Sequence, residues 1–176
     1  MNLWHDVTLG DKSPDEINVI VEIPKGSHNK YEIDKETGLI KLDRANYSDA
    51  AYPIDYGFAP QTLWDDGDAL DVIVLSSFPI PPGILVNVRP VALMEMTDSG
   101  ESDYKVIGVP VKDKRWDDPS ALKDLNKHNL KEIQHFFETY KQLKGDEVQV
   151  HGFKGKSDAL EAIKKSITLY TEKFAQ

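Results

Sequence analysis

Apolar residues alternate with polar ones at Ile17, Val19, Val21 and Ile23. A period of two predicts a half-buried strand over 17–23, with Asn18, Ile20 and Glu22 on its other face. Pro24-Lys25-Gly26-Ser27 then marks a turn. Residues 30–34 (KYEID) and 39–43 (LIKLD) predict a β-hairpin across Lys35-Glu36-Thr37-Gly38. Residues 45–66 show no clear period, and a loop that long is usually functional or disordered. The aromatics Tyr47, Tyr52, Tyr56, Phe58 and Trp64 argue against disorder there. The run 72–75 (VIVL) reads as a short buried strand, 84–96 and 104–111 as longer strands flanking an acidic turn, and 147–153 as another strand.

Helical spacing appears only late in the chain. Over 129–144, Ile133, Phe137 and Tyr140 form one stripe with Leu130 and Phe136 beside it, and Asn129 with Glu132 predicts a capping box at its start. Over 157–174, Leu160, Ile163, Ile167, Tyr170 and Phe174 recur at three and four. Each stripe is expected to pack on the sheet. Strands first and helices last is an α+β order, here mainly β. Five to seven short strands broken by Gly and Pro predict a small curved sheet or barrel. The length of 176 residues and the lack of any linker predict one domain over 1–176.

Composition narrows the function classes. A hydrophobic share of 40% excludes disorder as the global state. The net charge of −9 disfavours nucleic acid and anionic membranes, whose phosphates it would repel. The absence of cysteine removes disulfides, Cys-ligated zinc, iron–sulfur clusters and a thiolate nucleophile, and fits a cytoplasmic protein. No run approaches the ~18 apolar residues of a membrane span, and the first ten residues do not read as a secretory signal. The five histidines show no HxH or HExxH spacing. Gly152–Ser157 resembles the end of a P-loop, but Val150 stands where that pattern needs its first glycine, so Gly155 is read as a turn before the helix.

The acids are unevenly placed: residues 1–60 carry −5, 61–120 carry −6 and 121–176 carry +2. The densest run is Asp65-Asp66-Gly67-Asp68-Ala69-Leu70-Asp71. Carboxylates this close repel unless protons or cations intervene. A solvated Asp-Gly turn and a hard-cation site would carry the same residues, and Mg²⁺ suits a few loop carboxylates because it keeps several waters. Glu95, Asp98, Glu101 and Asp103 form a second cluster, equally open to a polar hairpin tip, with Asp103 and Lys105 expected on one strand face. Glu22, Lys30, Glu32 and Arg44 form a third. Within it Glu22 stands out, because a charge inside an apolar run tends to be paired or functional.

In series, these segments resemble the family I soluble inorganic pyrophosphatases of the short prokaryotic type, over essentially the whole chain. The family's acidic signature reads Asp66-Gly67-Asp68-Ala69-Leu70-Asp71. Around it lie Glu22-Ile23-Pro24, Lys30-Tyr31-Glu32, Asp43-Arg44, the YPxDYG segment at Tyr52–Gly57, Arg89–Val91, Met96–Lys105 and His135–Lys141. The resemblance implies a five-stranded OB-like closed barrel with two C-terminal helices packed against it. It implies hydrolysis of pyrophosphate to two orthophosphates by a metal-bridging water activated by Asp68, with several Mg²⁺ ions per subunit and Mn²⁺ as a substitute. It implies Asp66, Asp71 and Asp103 as ligands of tight metal sites, Asp98 and Glu32 as ligands of metals arriving with substrate, and Glu22 as a more distant metal partner. It implies Lys30, Arg44, Lys105, Tyr140 and Lys141 as phosphate contacts, Tyr52 and Tyr56 as pocket lining, and a homohexamer. Ala69 departs from the family's usual Pro and implies a less rigid loop with every carboxylate kept. Two other classes remain open on sequence: an OB-like binding module without activity, and a phosphohydrolase acting on nucleotides.

Overall fold

The alternating segment forms β1 (Ile17–Ile23), and both of its faces are covered. Ile17 and Val19 join one apolar cluster and Ile23 another. Ile20, on the face expected to be exposed, packs with Trp4, Phe58, Leu63 and Ala69. The N-terminal segment supplies that cover, with Trp4 only 3% exposed, so the half-buried expectation fails there. The structure is a computed structural model and describes residues 1–174.

The expected hairpin is β2 (Asn29–Ile33) and β3 (Ile40–Ala45), antiparallel, with Lys30 opposite Arg44 and Glu32 opposite Lys41. The aperiodic stretch contains a strand the pattern did not reveal, β4 (Asp55–Phe58), whose four residues are all buried. Then follow β5 (Asp71–Val74), β6 (Leu85–Asp98), β7 (Glu101–Ser102), β8 (Lys105–Pro110) and β9 (Val148–Lys154). The order β1-β4-β5-β8-β6 returns to β1 through pairing of Ile17–Ile20 with Leu85–Val88. Five strands therefore close into a ring, the OB-like arrangement expected, and no long edge is left on it. Only the β5–β8 pair within the ring is parallel. The 14 residues of β6 serve β1 at the start, β8 in the middle and β9 at the end. Register shifts at Pro90/Ala92 and Glu95/Met96 bend that strand around the ring.

Two helices cover the ring. α1 (Lys127–Thr139) buries Ile133, Phe136 and Phe137 against a cluster that includes Tyr52, Tyr56, Ile73 and Met94. Its cap is Asn126, not Asn129: the Asn126 side chain accepts from the N–H groups of His128 and Asn129 at 2.9 and 3.1 Å. The helix stops at Thr139, and a separate 3₁₀ turn covers Gln142–Lys144. α2 (Lys156–Phe174) begins after Gly155, whose N–H donates to Asp158 at 3.1 Å. Its most buried face is Ala159, Ala162, Ile163 and Ser166, which shares only Ile163 with the expected stripe of large residues. Leu160, Ile167 and Tyr170 are only partly buried, and Phe174 is 39% exposed. Among the described residues no helix is long and apolar enough to cross a membrane.

Gly57 fixes the spacing of β1 and β4. A Cβ there would lie 2.0 Å from the Ile20 carbonyl oxygen, which is backbone and cannot move aside. Gly57→Ala is therefore expected to lower stability by about 3 kcal/mol or more, the upper end for an overpacked core. Urea denaturation checks this, and a midpoint equal to that of the parent would show that the strands can separate at no cost.

Candidate active site

The acidic loop is held by its own backbone. Gly67 has φ of 86°, a left-handed conformation that glycine adopts freely. The Gly67 N–H donates to Trp64 O at 3.0 Å, the Trp64 N–H to Asp68 O at 2.7 Å, and the Asp68 N–H to Asp66 Oδ1 at 3.0 Å. The loop runs straight into β5, so Asp71 starts that strand. The parallel register sets Asp71 level with Lys105 at the start of β8. Asp103 stands two residues before Lys105, and Tyr56 lies on β4, which pairs with β5 on the side away from β8.

These placements converge on one ammonium group. Lys105 Nζ lies 2.8 Å from Asp71 Oδ2, 2.7 Å from Asp103 Oδ1 and 2.8 Å from the Tyr56 hydroxyl. Lys105 is 1% exposed. Burial disfavours its charge, but Asp103 and Asp71 outweigh that and hold its pKa above the ordinary value. One cation cannot neutralise two carboxylates. Burial, with Asp71 adding to it, therefore raises Asp103 despite the bond to Lys105. Burial also pushes Asp66 up to about 7, helped by the charges of Asp71, Asp103 and Asp68. Glu22 is pushed up to about 8 by burial and then by Asp71, although its carboxylate accepts from the Ile33 N–H at 2.7 Å. Burial likewise raises the hydroxyls of Tyr56 and Tyr140, which keeps both as donors.

A cavity of about 680 Å³ opens over this cluster, and eleven carboxylates and six lysines line it. Twelve of the fourteen residues singled out from sequence line it: Asp68, Asp66, Asp71, Asp103, Asp98, Glu32, Glu22, Lys30, Tyr56, Lys105, Tyr140 and Lys141. Lys30 Nζ is 2.9 Å from Glu32 and 3.0 Å from Asp43, and these pairs raise its pKa against the opposing effect of burial. Lys141 pairs with Asp98 across the cavity. The other two residues stand behind the wall. Tyr52 is 2% exposed and packs with Phe136 at 4.6 Å between ring centres. Arg44 donates from Nη1 to Asp43 at 2.6 Å, while its Nη2 is buried without a partner. In the acidic run, Asp65 turns away to Lys165 at 2.6 Å. Ala69 is 7% exposed and packs in the cluster of Trp4 and Phe58.

Asp34, Lys35, Glu36, Lys41, Lys144 and Asp146 also line the cavity, and sequence reasoning did not single them out as site residues. The available signal was proximity: the first four flank the Lys30/Glu32 hairpin, and the last two follow Lys141.

The donor chemistry fits a divalent cation. Carboxylate oxygens suit hard cations, and at Glu22, Asp66 and Asp103 burial first and neighbouring carboxylates second disfavour the charged form, a penalty that a bound cation would relieve. The ligands are not preassembled: among the described residues no three acidic or imidazole side chains already stand as a metal-holding group. Lys105 engages Asp71 and Asp103 instead.

The family model for inorganic pyrophosphatase matches residues 19–171. An inorganic pyrophosphatase of Haloferax volcanii is 48% identical over 176 residues, covering 99% of each chain. Soluble inorganic pyrophosphatase 1 of Arabidopsis thaliana is 47% identical, covering 96% of this chain and 80% of that one. The crystal structure of an inorganic pyrophosphatase from Thermus thermophilus superposes with a TM-score of 0.94 at 45% identity, covering 97% of this chain and 99% of the other. The family model, the relatives and the solved structure all span the ring and the acidic loop, and on that footing the chain belongs to the inorganic pyrophosphatase family.

Proposed function

We propose that this protein hydrolyses inorganic pyrophosphate to two orthophosphates with Mg²⁺, at the cavity around Lys105. One observation carries the reading: Lys30, Lys141 and Lys105, which face the cavity, are each paired with acids on the metal-ligand side of the assignment, Glu32, Asp98, and Asp71 with Asp103. Such pairs are interchangeable. When the carboxylates engage cations, the lysines are freed to meet phosphate oxygens as charge-assisted donors.

Pyrophosphate carries about three to four negative charges near neutral pH, and the bare cavity would repel it. Asp66, Asp71, Asp103, Asp98 and Glu32 are the residues that would hold Mg²⁺, with Glu22 behind them and Mn²⁺ as a substitute. The bound ions would supply counter-charge, acidify the attacking water and stabilise the leaving oxygen. Asp68 is the residue that would accept the proton of the attacking water; its side chain is 59% exposed at the cavity, where water can reach it. Lys30, Lys105 and Lys141 fix the two phosphates and neutralise charge as the bridging bond breaks. Tyr56 and Tyr140, kept protonated by burial, offer hydroxyls at the cavity wall. Arg44 becomes a phosphate contact if its orphaned Nη2 reaches the anion from behind the wall, and Tyr52 supports the rings of Tyr56 and Tyr140. Neither cysteine nor histidine is needed for this chemistry.

The same reading carries a homohexamer in the cytoplasm. Phe78, Ile84 and Leu85, 67%, 47% and 52% exposed, offer apolar surface for contacts between copies. A chain without cysteine suits a reducing compartment.

Phosphate release from pyrophosphate is expected with Mg²⁺ and is expected to stop with EDTA; activity indifferent to chelation would end the metal assignment. ATP supplied with Mg²⁺ should be hydrolysed far more slowly, and a comparable rate would point to a nucleotide phosphohydrolase. Asp68→Asn is expected to lower kcat by ~10²-fold or more, the size of a lost general base. A near-parental rate would move that role elsewhere. Light scattering is expected to give about six times the 19.8 kDa chain mass, and a monomer would refute the hexamer.

A further inference from the structure

Lys35 is a cavity residue outside the assigned set. It sits in the turn of the β2–β3 hairpin, and its Nζ makes an ion pair with Asp68. The same Nζ lies 3.5 Å from the Gly67 carbonyl oxygen and 5.9 Å from the centre of the Trp4 ring. Among the described residues Lys35 is the ion-pair partner of Asp68, and no other side chain hydrogen-bonds to that carboxylate. The loop's own bonds hold backbone atoms and Asp66, so they leave the Asp68 side chain free to rotate.

The base of Lys35 is fixed. The preceding Asp34 accepts from the Thr37 N–H at 3.0 Å, the Thr37 hydroxyl at 2.6 Å and Lys41 at 3.0 Å. The Gly38 N–H donates to Asp34 O at 2.7 Å, and the Leu3 N–H donates to Gly38 O at 3.4 Å, which ties the turn to the N-terminal segment. Trp4 beneath the lysine is buried. A rigid turn and a buried ring thus aim one flexible cation at one carboxylate. Both side chains are 59% exposed, so the pair does little for stability; its effect is on direction.

We propose that Lys35 is a positioning residue for Asp68, holding the carboxylate toward the cavity and coupling the hairpin that carries Lys30 and Glu32 to the acidic loop. The proposal rests on the pyrophosphatase reading for its kinetic consequence but not for its structural one. A misdirected base slows the chemical step and leaves the affinity for substrate alone.

The test compares Lys35→Met, which keeps the apolar stem, with Lys35→Arg, which keeps the charge. With pyrophosphate and saturating Mg²⁺, K35M is expected to lower kcat by about 5- to 20-fold with KM within about twofold. K35R should recover most of the loss. The K35M effect should largely vanish in an Asp68→Asn background, because residues acting through one another are not additive. The melting temperature of K35M should stay within about 2 °C of the parent, as expected for an exposed pair. A rise in KM with kcat unchanged would make Lys35 a phosphate contact and overturn the proposal, as would full additivity with Asp68→Asn. A second readout is independent of turnover: backbone amides of Gly67 and Asp68 should exchange with solvent at least about fivefold faster in K35M than in the parent and K35R. If the parent protein proves inactive on pyrophosphate but this exchange change appears, the functional reading has failed and the coupling stands. Equal exchange in all three proteins would overturn the coupling itself.

Discussion

Carboxylates can be buried side by side only if positive charge is brought to them, and Lys105 is where this fold brings it. Its ammonium group is almost wholly shielded from water and touches Asp71, Asp103 and the Tyr56 hydroxyl at once. The parallel pairing of β5 with β8 makes this contact possible, because it sets the first residues of both strands level. An antiparallel pair would have put Asp71 at the far end of its neighbour. The ring therefore does more than enclose an apolar core: its one parallel seam delivers an acid and a base to the same end. Such a cluster is weak evidence for stability, since the desolvation of buried ions can exceed their attraction. It is better understood as a cost the apolar clusters on either side of the ring carry for the sake of the cavity.

Net charge taken alone points the wrong way here. A net charge of −9 predicts repulsion of phosphate-rich partners, an expectation that applies to polyanions meeting the whole surface. The cavity reverses it. Eleven carboxylates face six lysines there, and burial, with neighbouring carboxylates adding to it, pushes Glu22 up to about 8 and Asp66 up to about 7. Cations bound at such a site would make it attractive to an anion. Three of the lysines are themselves held on these acids: Lys30 on Glu32, Lys105 on Asp71 and Asp103, and Lys141 on Asp98. Charge must therefore be read at the scale of the site and with its ions in place, not at the scale of the chain.

What could be read from the sequence follows from how many faces of each element are covered. β2, β3, β5, β6, β8, β9 and both helices were legible because their periods or apolar runs survive. β4 was not, since Asp55, Tyr56, Gly57 and Phe58 are buried on both sides and no alternation is left to read. The same cause hid the second face of β1, where Ile20 meets Trp4 from the N-terminal segment. On α2 the most buried face is Ala159, Ala162, Ile163 and Ser166, three of them small residues that let the helix sit close; a stripe sought among large residues finds only Ile163 of that face. At α1 the sequence reading places the cap at Asn129, three residues late, because the Asn126 side chain makes the capping bonds expected of a box at Asn129 and Glu132. The cavity's principal residues were legible through serial motifs. Lys35, Lys41 and Lys144 were not, because nothing local separates a lysine that faces a cavity from one that faces water.

Ala69 shows why motif departures need a structure. From sequence, replacing a ring-constrained residue by alanine implies a looser loop next to Asp68. In the fold, Ala69 is buried against Trp4, Ile20, Phe58 and Leu63, and the flanking backbone is closed by the bonds linking Trp64, Gly67 and Asp68. Packing and hydrogen bonding thus restrict the backbone that a proline would have restricted by covalent geometry. They do not act on the Asp68 side chain, which extends past them into the cavity. Whatever directs that carboxylate has to come from another part of the chain, and the hairpin is the element that reaches it.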